Sequence, residues 1–282
     1  MSFDLRKMAA FGVAGNFTGH LEQAGEAADF VNLKTAEACA PKAIFPTYIP
    51  MGEVNEIVPG FLHEFPFDPK MIVYPKGEQK VQLEPECAII FNVVWNGTKV
   101  ADLKPVVFGA SNDCSIRREG AKKISLKKNW GNSSKGLSEV LISLDDFSEK
   151  GILNRYRIAS FMIRAGKVYA YGEDSAIRDY SYIYGKLKNW MIEKLNFQGN
   201  EGPAENINMY LNVAGRPSQI LISIGATRYT EFGQTNFLAD GDESVVVLYP
   251  EDKLSFDDVK FILENGKSFA DDVSVLRQKV VL

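Results

Sequence analysis

The sequence is poor in the residues that build disulfide frameworks, zinc clusters and histidine-based sites. Its 282 residues include three cysteines and two histidines. The cysteines (Cys39, Cys87 and Cys114) are odd in number and widely spaced, so neither a disulfide framework nor a zinc cluster is predicted. Because His20 and His63 are the two histidines, a reaction that needs an imidazole base has few candidates.

Two further absences exclude whole classes of protein. No apolar run approaches the ~20 residues of a membrane-spanning helix, so no membrane association is expected. The net charge is −4 and no basic stripe is present, so we expect no nucleic-acid binding. The short apolar stretch from Met8 to Ala14 lacks a convincing signal cleavage site, and we interpret it as a first strand. A cytoplasmic protein is therefore expected.

What is present favours an α+β fold that is rich in strands. Apolar segments predict two hairpins, with turns at residues 96–97 and 165–166, and "QILISIGATRY" and "ESVVVLYPE" predict two more strands. Apolar residues recur at helical spacing over 180–195, and a last helix is predicted over 255–264. Residues 40–80 are rich in proline and glycine and predict loops with short edge strands. Many strands and few helices argue against a doubly wound sheet.

Two glutamates stand just before a predicted buried strand, in the segment "QLEPECAIIF". Because side chains alternate along an extended chain, Glu84 and Glu86 point to the same face. One interpretation is a solvent-exposed edge strand, which Pro85 would suit. The other is a pair of oxygen ligands for a hard divalent cation such as Mg²⁺ or Mn²⁺, with Asp113 of "VVFGASNDCSIRREG" as the third ligand. Asp113 would otherwise form an ordinary Asx turn.

Two other polar segments each allow a structural and a functional interpretation. "GVAGNFTGHLEQAGE" places Asn16 and His20 in a glycine-rich backbone, and a single histidine beside a helix start is more often structural than catalytic. "KKISLKKNWGNSSKG" is either a solvated basic loop or a segment that directs Lys128 into an anionic metal site. Apolar Leu126 and Trp130 flank Lys128.

The order of these segments resembles that of the fumarylacetoacetate hydrolase family. "AGNFTGH" is similar to the family's Gly-x-Asn-Tyr-x-x-His, "EPECAII" to its Glu-x-Glu-Leu-Ala strand, and "FGASNDCSIRR" to its Asn-Asp-x-Ser-x-Arg turn. "ISIGATRYTEFGQTNFLADGD" resembles the closing Thr-Gly-Thr-Pro segment, with Thr227 at the second threonine and Arg228 in place of the proline. The resemblance implies a single domain over 1–282, with an N-terminal strand and lid region in 1–40. A metal-binding core in 81–250 would form the family's mixed β-roll.

The resemblance also implies a homodimer with one divalent cation in each subunit, either Mg²⁺ or Mn²⁺, with Ca²⁺ as a further candidate. The site residues that it implies are the metal ligands Glu84, Glu86 and Asp113, the catalytic residues His20 and Lys128, and the substrate-binding residues Arg117, Thr227 and Asn16. In this scheme His20 deprotonates a water, and Lys128 holds that water or the developing oxyanion.

This sequence departs from the family pattern in three places. The family often has a glutamate three residues after the histidine, where this chain has Gln23. Glu22 is our catalytic candidate in its place, and Glu26 is a neighbour on another helical face. The aspartate that commonly follows the matched arginine is Arg118, and the Pro-x-Gly-Pro after the lysine has become "SSKG".

The expected function is a divalent-metal-dependent hydrolase that cleaves a C–C bond in a small acylpyruvate or β-diketo acid. Metal coordination would make the ketone an electron sink and stabilise the enolate that remains when the bond breaks. Because Gln23 cannot take a proton, a 2-oxo acid decarboxylase or isomerase on the same fold stays open as an alternative. A non-catalytic protein that binds a metal or a dicarboxylate is the third possibility.

Overall fold

The computed structural model describes residues 3–30, 33, 35–51, 56–118 and 120–282. The strands are β1 (Ala9–Ala14), β2 (Ala43–Tyr48), β3 (Met71–Val73), β4 (Val81–Gln82), β5 (Pro85–Asn96), β6 (Lys99–Asn112), β7 (Ser115–Ile116), β8 (Gly136–Leu137), β9 (Ile142–Ser143), β10 (Tyr156–Arg164), β11 (Lys167–Ala176), β12 (Gln219–Ser223), β13 (Glu243–Pro250) and β14 (Ser274–Val281). The α-helices are α1 (His20–Gln23), α2 (Tyr184–Phe197), α3 (Ile207–Val213), α4 (Glu231–Thr235) and α5 (Phe256–Glu264). None of these helices is both long enough and apolar enough to cross a membrane.

The larger sheet is mixed and has the strand order β2-β1-β12-β5-β6-β8, with β9 also paired to β6. β1 runs parallel to β12, and the other neighbouring strands of the sheet pair antiparallel. Every residue of β1 is buried, which explains why its sequence is continuously apolar and does not alternate. β2 contains Pro46 and is an edge strand of the sheet. Edge strands were predicted for this proline-rich region.

A long hairpin forms the centre of this sheet. β5 and β6 pair from Asn96 opposite Lys99 at the turn to Pro85 opposite Asn112 at the far end. Gly97 in the turn has a φ of 59°, the left-handed conformation for which an Asn-Gly pair is favoured. β5 lies between β12 and β6, so the edge-strand interpretation of Glu84–Glu86 is wrong. Pro85 is tolerated there because it is the first residue of its strand.

The second sheet has the order β11-β10-β13-β14-β3, and β4 pairs with β7 in a separate two-stranded ladder. β14 runs parallel to β3 and antiparallel to β13. Helix α5 covers one face of this sheet, where Val259 and Leu263 pack with Phe161, Val245 and Val247. The sequence predicted α5 and β13, but β14 was not predicted.

Helix α2 begins four residues later than the spacing over 180–195 predicts, at Tyr184. The cause is Asn16, whose backbone carbonyl accepts from the Ser181 N–H at 2.9 Å and whose side chain accepts from the Tyr182 N–H at 2.9 Å. These N–H groups are fixed outside the helix, and the predicted apolar face then packs into the main core.

Candidate metal centre

Three carboxylates meet where β5 begins and β6 ends. Glu84 and Glu86 flank Pro85, and Asp113 directly follows Asn112, which is the ladder partner of Pro85. One oxygen atom of each carboxylate lies within 4.8 Å of the others, and Glu84, Glu86 and Asp113 are 3%, 1% and 2% exposed. Buried like charges this close need a cation to compensate them.

Positively charged side chains surround the three carboxylates. Lys128 contacts Glu84, and its Nζ lies 2.9 Å from Oδ2 of Asp113. The Nη2 atom of Arg117 lies 2.7 Å from Oε1 of Glu84. On the other side, Lys135 Nζ lies 3.3 Å from Oδ1 of Asp113 and donates to the backbone carbonyl of Cys114. The carboxylates are therefore held in place from two sides.

The oxygen atoms fit a divalent cation. Within the described chain, no hydrogen-bond donor is aligned with Glu84 Oε1 or with Asp113 Oδ2, although both atoms are buried. The guanidinium nitrogen beside Glu84 directs its hydrogen bond to the hydroxyl of Tyr229, at 2.8 Å. Each of these oxygens is in ion-pair contact with one cation, Arg117 at 2.7 Å or Lys128 at 2.9 Å, and a carboxylate oxygen can accept a second partner. Hard cations such as Mg²⁺ and Mn²⁺ take carboxylate oxygens of this kind.

The two glutamates differ in their pKa. Burial alone would raise the pKa of Glu84, but the charges of Lys128 and Arg117 outweigh it and hold this pKa well below its ordinary value. Burial and the negative charges of Asp113 and Glu84 raise the pKa of Glu86 well above its ordinary value. A bound divalent ion would favour the ionised form of Glu86, because ligands must be deprotonated to bind metal.

His20 begins helix α1 and lines the small cavity beside the carboxylates. Its Nδ1 lies 2.8 Å from the backbone carbonyl of Thr227, so Nδ1 carries the proton and donates it, and Nε2 is left as the basic nitrogen. Burial lowers the pKa of His20, although the charge of Glu84 opposes this effect. The imidazole is therefore neutral near pH 7, as a general base must be. The cavity measures about 20 Å³, which is room for one ion or water.

The acid that lies beside His20 in the cavity is Glu26. Glu22 is exposed and does not line the cavity, so the structure does not bring this catalytic candidate to the carboxylates. Glu26 is buried and lines the same cavity as His20. Helix α1 ends at Gln23, and Gly25 turns the chain with a φ of 70°. Glu26 therefore lies outside the helix, and helical spacing does not predict its position. Gly25 in the sequence indicated that the helix ends before Glu26.

Gln23 holds the segment that carries His20 against Tyr229, a residue of the segment "ISIGATRYTEFGQTNFLADGD". Its Oε1 accepts from the backbone N–H of Tyr229 at 2.8 Å, and its Nε2 donates to the carbonyl of the same residue at 3.2 Å. This reciprocal pair requires an amide, since an ionised carboxylate has no hydrogen to donate.

The predicted substrate-binding residues fall into two groups. Arg117 links the three carboxylates to the segment that carries His20, because it lies 2.8 Å from Oε1 of Glu26 and 2.7 Å from Glu84. Thr227 is buried and reaches the site through its carbonyl, which accepts from His20. Asn16 uses both amide hydrogens and its carbonyl oxygen on backbone groups, so its side chain is not free for a substrate.

Two buried lysines, Lys127 and Lys135, lie at the site but were not predicted from the sequence. Lys127 donates to Glu26 at 2.8 Å, and Lys135 contacts Asp113. The signal for Lys135 was the segment "SSKG", where the chain departs from the Pro-x-Gly-Pro of the resemblance. Lys135 also lies over the Trp130 ring, 5.2 Å from its centroid, which adds a cation–π contact to those with Asp113 and Cys114.

Comparisons with known proteins give one family and one fold. No curated protein matches the sequence. A protein from Oleispira antarctica described as a fumarylacetoacetate isomerase/hydrolase superposes with a TM-score of 0.57 at 15% identity, over 100% of this chain and 96% of that one. The 5-carboxymethyl-2-hydroxymuconate delta-isomerase from Mycobacterium smegmatis gives 0.52 at 13% identity, over 97% and 78% of the two chains.

A third structure, the apo form of 2-keto-3-deoxy-D-arabinonate dehydratase, gives a TM-score of 0.53 at 13% identity, over 97% of this chain and 72% of that one. At these identities the likeness shows the fold, which is the predicted β-rich α+β fold of the fumarylacetoacetate hydrolase structures. Residues 26–280 match the family described as "Family of unknown function (DUF5718)". The chain therefore belongs to the DUF5718 family and has the fumarylacetoacetate hydrolase fold.

Proposed function

We propose that the protein is a divalent-metal-dependent enzyme that hydrolyses a C–C bond in a small acylpyruvate or β-diketo acid. The observation that carries the proposal is the buried group of Glu84, Glu86 and Asp113, with His20 on the cavity that the two glutamates line. Proteins with this fold include ones named as an isomerase/hydrolase, a delta-isomerase and a dehydratase, which supports an enzyme acting on a related acid. We further propose that it works as a homodimer, which sedimentation equilibrium tests directly.

The chain's own residues have separate tasks in this reaction. A bound Mg²⁺ or Mn²⁺ would supply Lewis-acid polarisation of the ketone oxygen. His20 removes a proton from water at Nε2, while its Nδ1–H bond to the carbonyl of Thr227 holds the ring and its tautomer. Lys128 contributes a positive charge beside the carboxylates, where the developing oxyanion would lie. The cavity of about 20 Å³ that His20 lines leaves little room for water beside the reacting atoms.

One observation favours decarboxylation or isomerisation as a second candidate function. The Nδ1 of His20 bonds to a backbone carbonyl and not to a carboxylate, so an imidazolium formed during catalysis gains less stabilisation. Glu26 lines the cavity but is bonded to Arg117 and Lys127. Reactions that need the metal but no activated water depend less on this histidine. A metal- or dicarboxylate-binding protein without turnover is the remaining alternative.

The proposal is tested by metal titration and by a substrate screen. We expect Mn²⁺ to bind the protein at one site per chain, in the presence of an oxo acid, as measured by calorimetry. Glu86→Gln should abolish this binding, and Glu22→Gln, at an exposed position, should leave it unchanged. With metal, wild-type protein should turn over an acylpyruvate or oxaloacetate, and His20→Asn should lower kcat by 100-fold or more if the substrate is hydrolysed. Absence of both metal binding and turnover would refute the proposal.

A further inference from the structure

Lys127 and Lys128 reach the site on a short segment with little regular structure of its own. This lysine segment, residues 123–129, is built on a four-residue 3₁₀ helix. Such helices have poorer hydrogen-bond geometry than α-helices and depend on the structure around them. Lys128 contacts Glu84, and Lys127 pairs with Glu26 at 2.8 Å. The groups that hold the lysine segment therefore determine where both positive charges lie.

A loop just before helix α3 holds one side of the lysine segment. This supporting loop, residues 202–205, accepts two hydrogen bonds from Lys123 Nζ at its backbone carbonyls, at 2.8 and 2.6 Å. The Ile124 N–H donates to a third carbonyl of the loop, that of Pro203, at 3.2 Å. The side chain of Ile124 also packs in the same buried cluster as Ala204. Consecutive residues of the segment are thus docked on consecutive residues of the loop.

Glu205, the last residue of the supporting loop, binds the lysine segment through its side chain. Its Oε1 accepts from the Ser125 hydroxyl at 2.5 Å. The backbone carbonyl of Ser125 in turn accepts from the N–H groups of Lys128 and Asn129, at 3.0 and 3.3 Å. A single residue therefore connects the Glu205 carboxyl to the turn that carries Lys128. Glu205 is 2% exposed, and its Oε2 has no hydrogen-bond partner among the residues that the structure describes.

A negative charge on Glu205 would have little to offset it. The titratable groups that interact with Glu205 are Lys123 and Tyr210 of helix α3. Tyr210 has no positive form, and the ammonium of Lys123 is bonded to backbone carbonyls. Burial raises the pKa of Glu205 to about 7, although the Ser125 hydrogen bond and the charge of Lys123 oppose this effect. Above this pH the buried carboxylate requires water or a cation, and Lys123 can reach it only by leaving the supporting loop.

We propose that Glu205 is a positioning residue, which holds the lysine segment in place through Ser125 and releases it when the carboxyl ionises. Release withdraws from the carboxylate cluster, which is Glu84, Glu86 and Asp113, the positive charge that Lys128 supplies to the developing oxyanion. Turnover then falls as pH rises through about 7. The effect on turnover rests on the proposed function, and the effect on the lysine segment does not.

The effect on the segment is tested by NMR of the full-length protein from about pH 5.5 to pH 8.5. The ¹³C signal of the Glu205 carboxyl, assigned by its absence in Glu205→Gln, should titrate near pH 7. The backbone amide signals of residues 124–129 should shift with the same midpoint in wild-type protein. In Glu205→Gln this transition should be lost, because the amide still offers an oxygen to Ser125 but cannot ionise.

A second variant tests whether Ser125 carries the link. Ser125→Ala removes the hydroxyl that bonds to Glu205. We expect hydrogen exchange of the amides in residues 124–129 to become about tenfold faster at pH 6 in this variant. Glu205→Gln should retain the wild-type exchange rates at this pH. Thermal unfolding of both variants checks that they are folded.

The effect on turnover is tested with oxaloacetate or an acylpyruvate and saturating Mn²⁺. The ratio of kcat in Glu205→Gln to kcat in wild type should rise about tenfold from pH 6 to pH 8, because a group with a pKa of about 7 changes from mostly neutral to mostly ionised. Groups that titrate in both proteins, such as His20, cancel in this ratio. Glu201→Gln, at an exposed position beside the supporting loop, should give a ratio that does not vary with pH.

Four results would count against these roles. Segment amides that titrate alike in wild type and Glu205→Gln would overturn the proposal, as would a Glu205 carboxyl that titrates near the ordinary value of 4.5. Wild-type exchange rates in Ser125→Ala would also overturn it, since Ser125 would then not carry the link. A kcat ratio that does not vary with pH in an active protein would overturn the role in turnover. If no oxo acid is turned over, the proposed function fails, and the NMR comparison still decides whether Glu205 positions the segment.

Discussion

At residue 23 the side chain has to accept one hydrogen bond and donate another to the same backbone residue. Gln23 accepts from the Tyr229 N–H and donates to the Tyr229 carbonyl, at 2.8 and 3.2 Å. The resemblance favoured a glutamate here as a partner for His20. The amide is explained by the fixed backbone opposite it, which only a tertiary structure reveals.

Replacement of this amide should make stability depend on pH. We expect Gln23→Glu to lower the free energy of unfolding by about 1–2 kcal/mol at pH 8, because an ionised carboxylate faces the Tyr229 carbonyl. At pH 5 part of the loss should be recovered, since a protonated carboxyl can donate again. Urea unfolding at both pH values measures this, with Gln23→Ala as a control that has no such recovery. The same deficit at both pH values in Gln23→Glu would contradict the assignment.

Glu205 is a buried acid outside the carboxylate cluster. Its side chain is 2% exposed, and its Oε1 accepts from the Ser125 hydroxyl at 2.5 Å. Oε2 has no partner in the described chain. Burial raises the pKa of Glu205 to about 7 from an ordinary value of 4.5. Between these values the folded protein binds a proton that the unfolded chain releases, so stability falls as pH rises through this window.

A neutral side chain at this position should remove that loss. We expect the difference in free energy of unfolding between Glu205→Gln and wild type to shift in favour of the variant by up to about 3 kcal/mol from pH 4.5 to pH 8. Urea denaturation at half-unit pH intervals measures it. Glu201→Gln, at an exposed position on the same loop, serves as control. A difference that does not vary with pH would show that Glu205 titrates normally.

At the scale of elements, one asparagine connects three parts of the chain. Asn16 follows β1, its Nδ2 donates to the carbonyls of Tyr182 and Ile224, and its Oδ1 accepts from the Tyr182 N–H. It thereby joins the end of β1 to the start of α2 and to the end of β12. The resemblance implied a role in substrate binding, but the side chain is fully used by backbone partners.

Loss of this side chain should therefore act on stability. Asn16→Ala leaves three buried backbone groups without partners, and we expect it to lower the free energy of unfolding by roughly 3–5 kcal/mol. Thr18→Ala is the matched control, because its hydroxyl pairs with that of Ser181 at an exposed position and should cost less than about 0.5 kcal/mol. Chemical denaturation compares the two. A cost below about 1 kcal/mol for Asn16→Ala would refute this structural role.

Elements with local signals were predicted well, and those fixed by distant partners were not. The Asn-Gly turn predicts the hairpin β5–β6 because its preferred backbone conformation matches the twist of the strands. The start of α2 was misplaced because Asn16, far away in sequence, holds the preceding N–H groups. The carboxylates Glu84, Glu86 and Asp113 converge through the same hairpin, so their meeting was accessible from sequence. Glu26 and Lys135 reach Arg117 and Asp113, respectively, through tertiary packing that no local sequence pattern predicts.

For the whole molecule, ligand binding at this centre should stabilise the fold. Glu84, Glu86 and Asp113 meet where β5 begins and β6 ends, so a ligand that needs all three binds only the folded chain. At 100 times the Kd this adds about 2.7 kcal/mol to the free energy of unfolding. We expect Mn²⁺ with an oxo acid to raise the Tm of wild-type protein by several degrees in calorimetric scans. Glu86→Gln should show no such rise, and an equal rise in that variant would place the binding elsewhere.

The pairing of β5 with β6 also determines where the chain tolerates a change of length. β6 carries one unpaired residue at Ala101 and another at Val106, since the ladder shifts between Trp95 and Val94 and again between Phe91 and Ile90. Glu84, Glu86 and Asp113 all lie beyond both bulges, at the end away from the turn. Deletion of Ala101 would remove a bulge and leave every later cross-strand pair unchanged. Deletion of Gly109 would shift the last pairs by one residue and turn their side chains to the opposite face. A deletion at a bulge therefore leaves the three carboxylates in register, whereas a deletion beyond both bulges displaces Asp113 from Glu84 and Glu86.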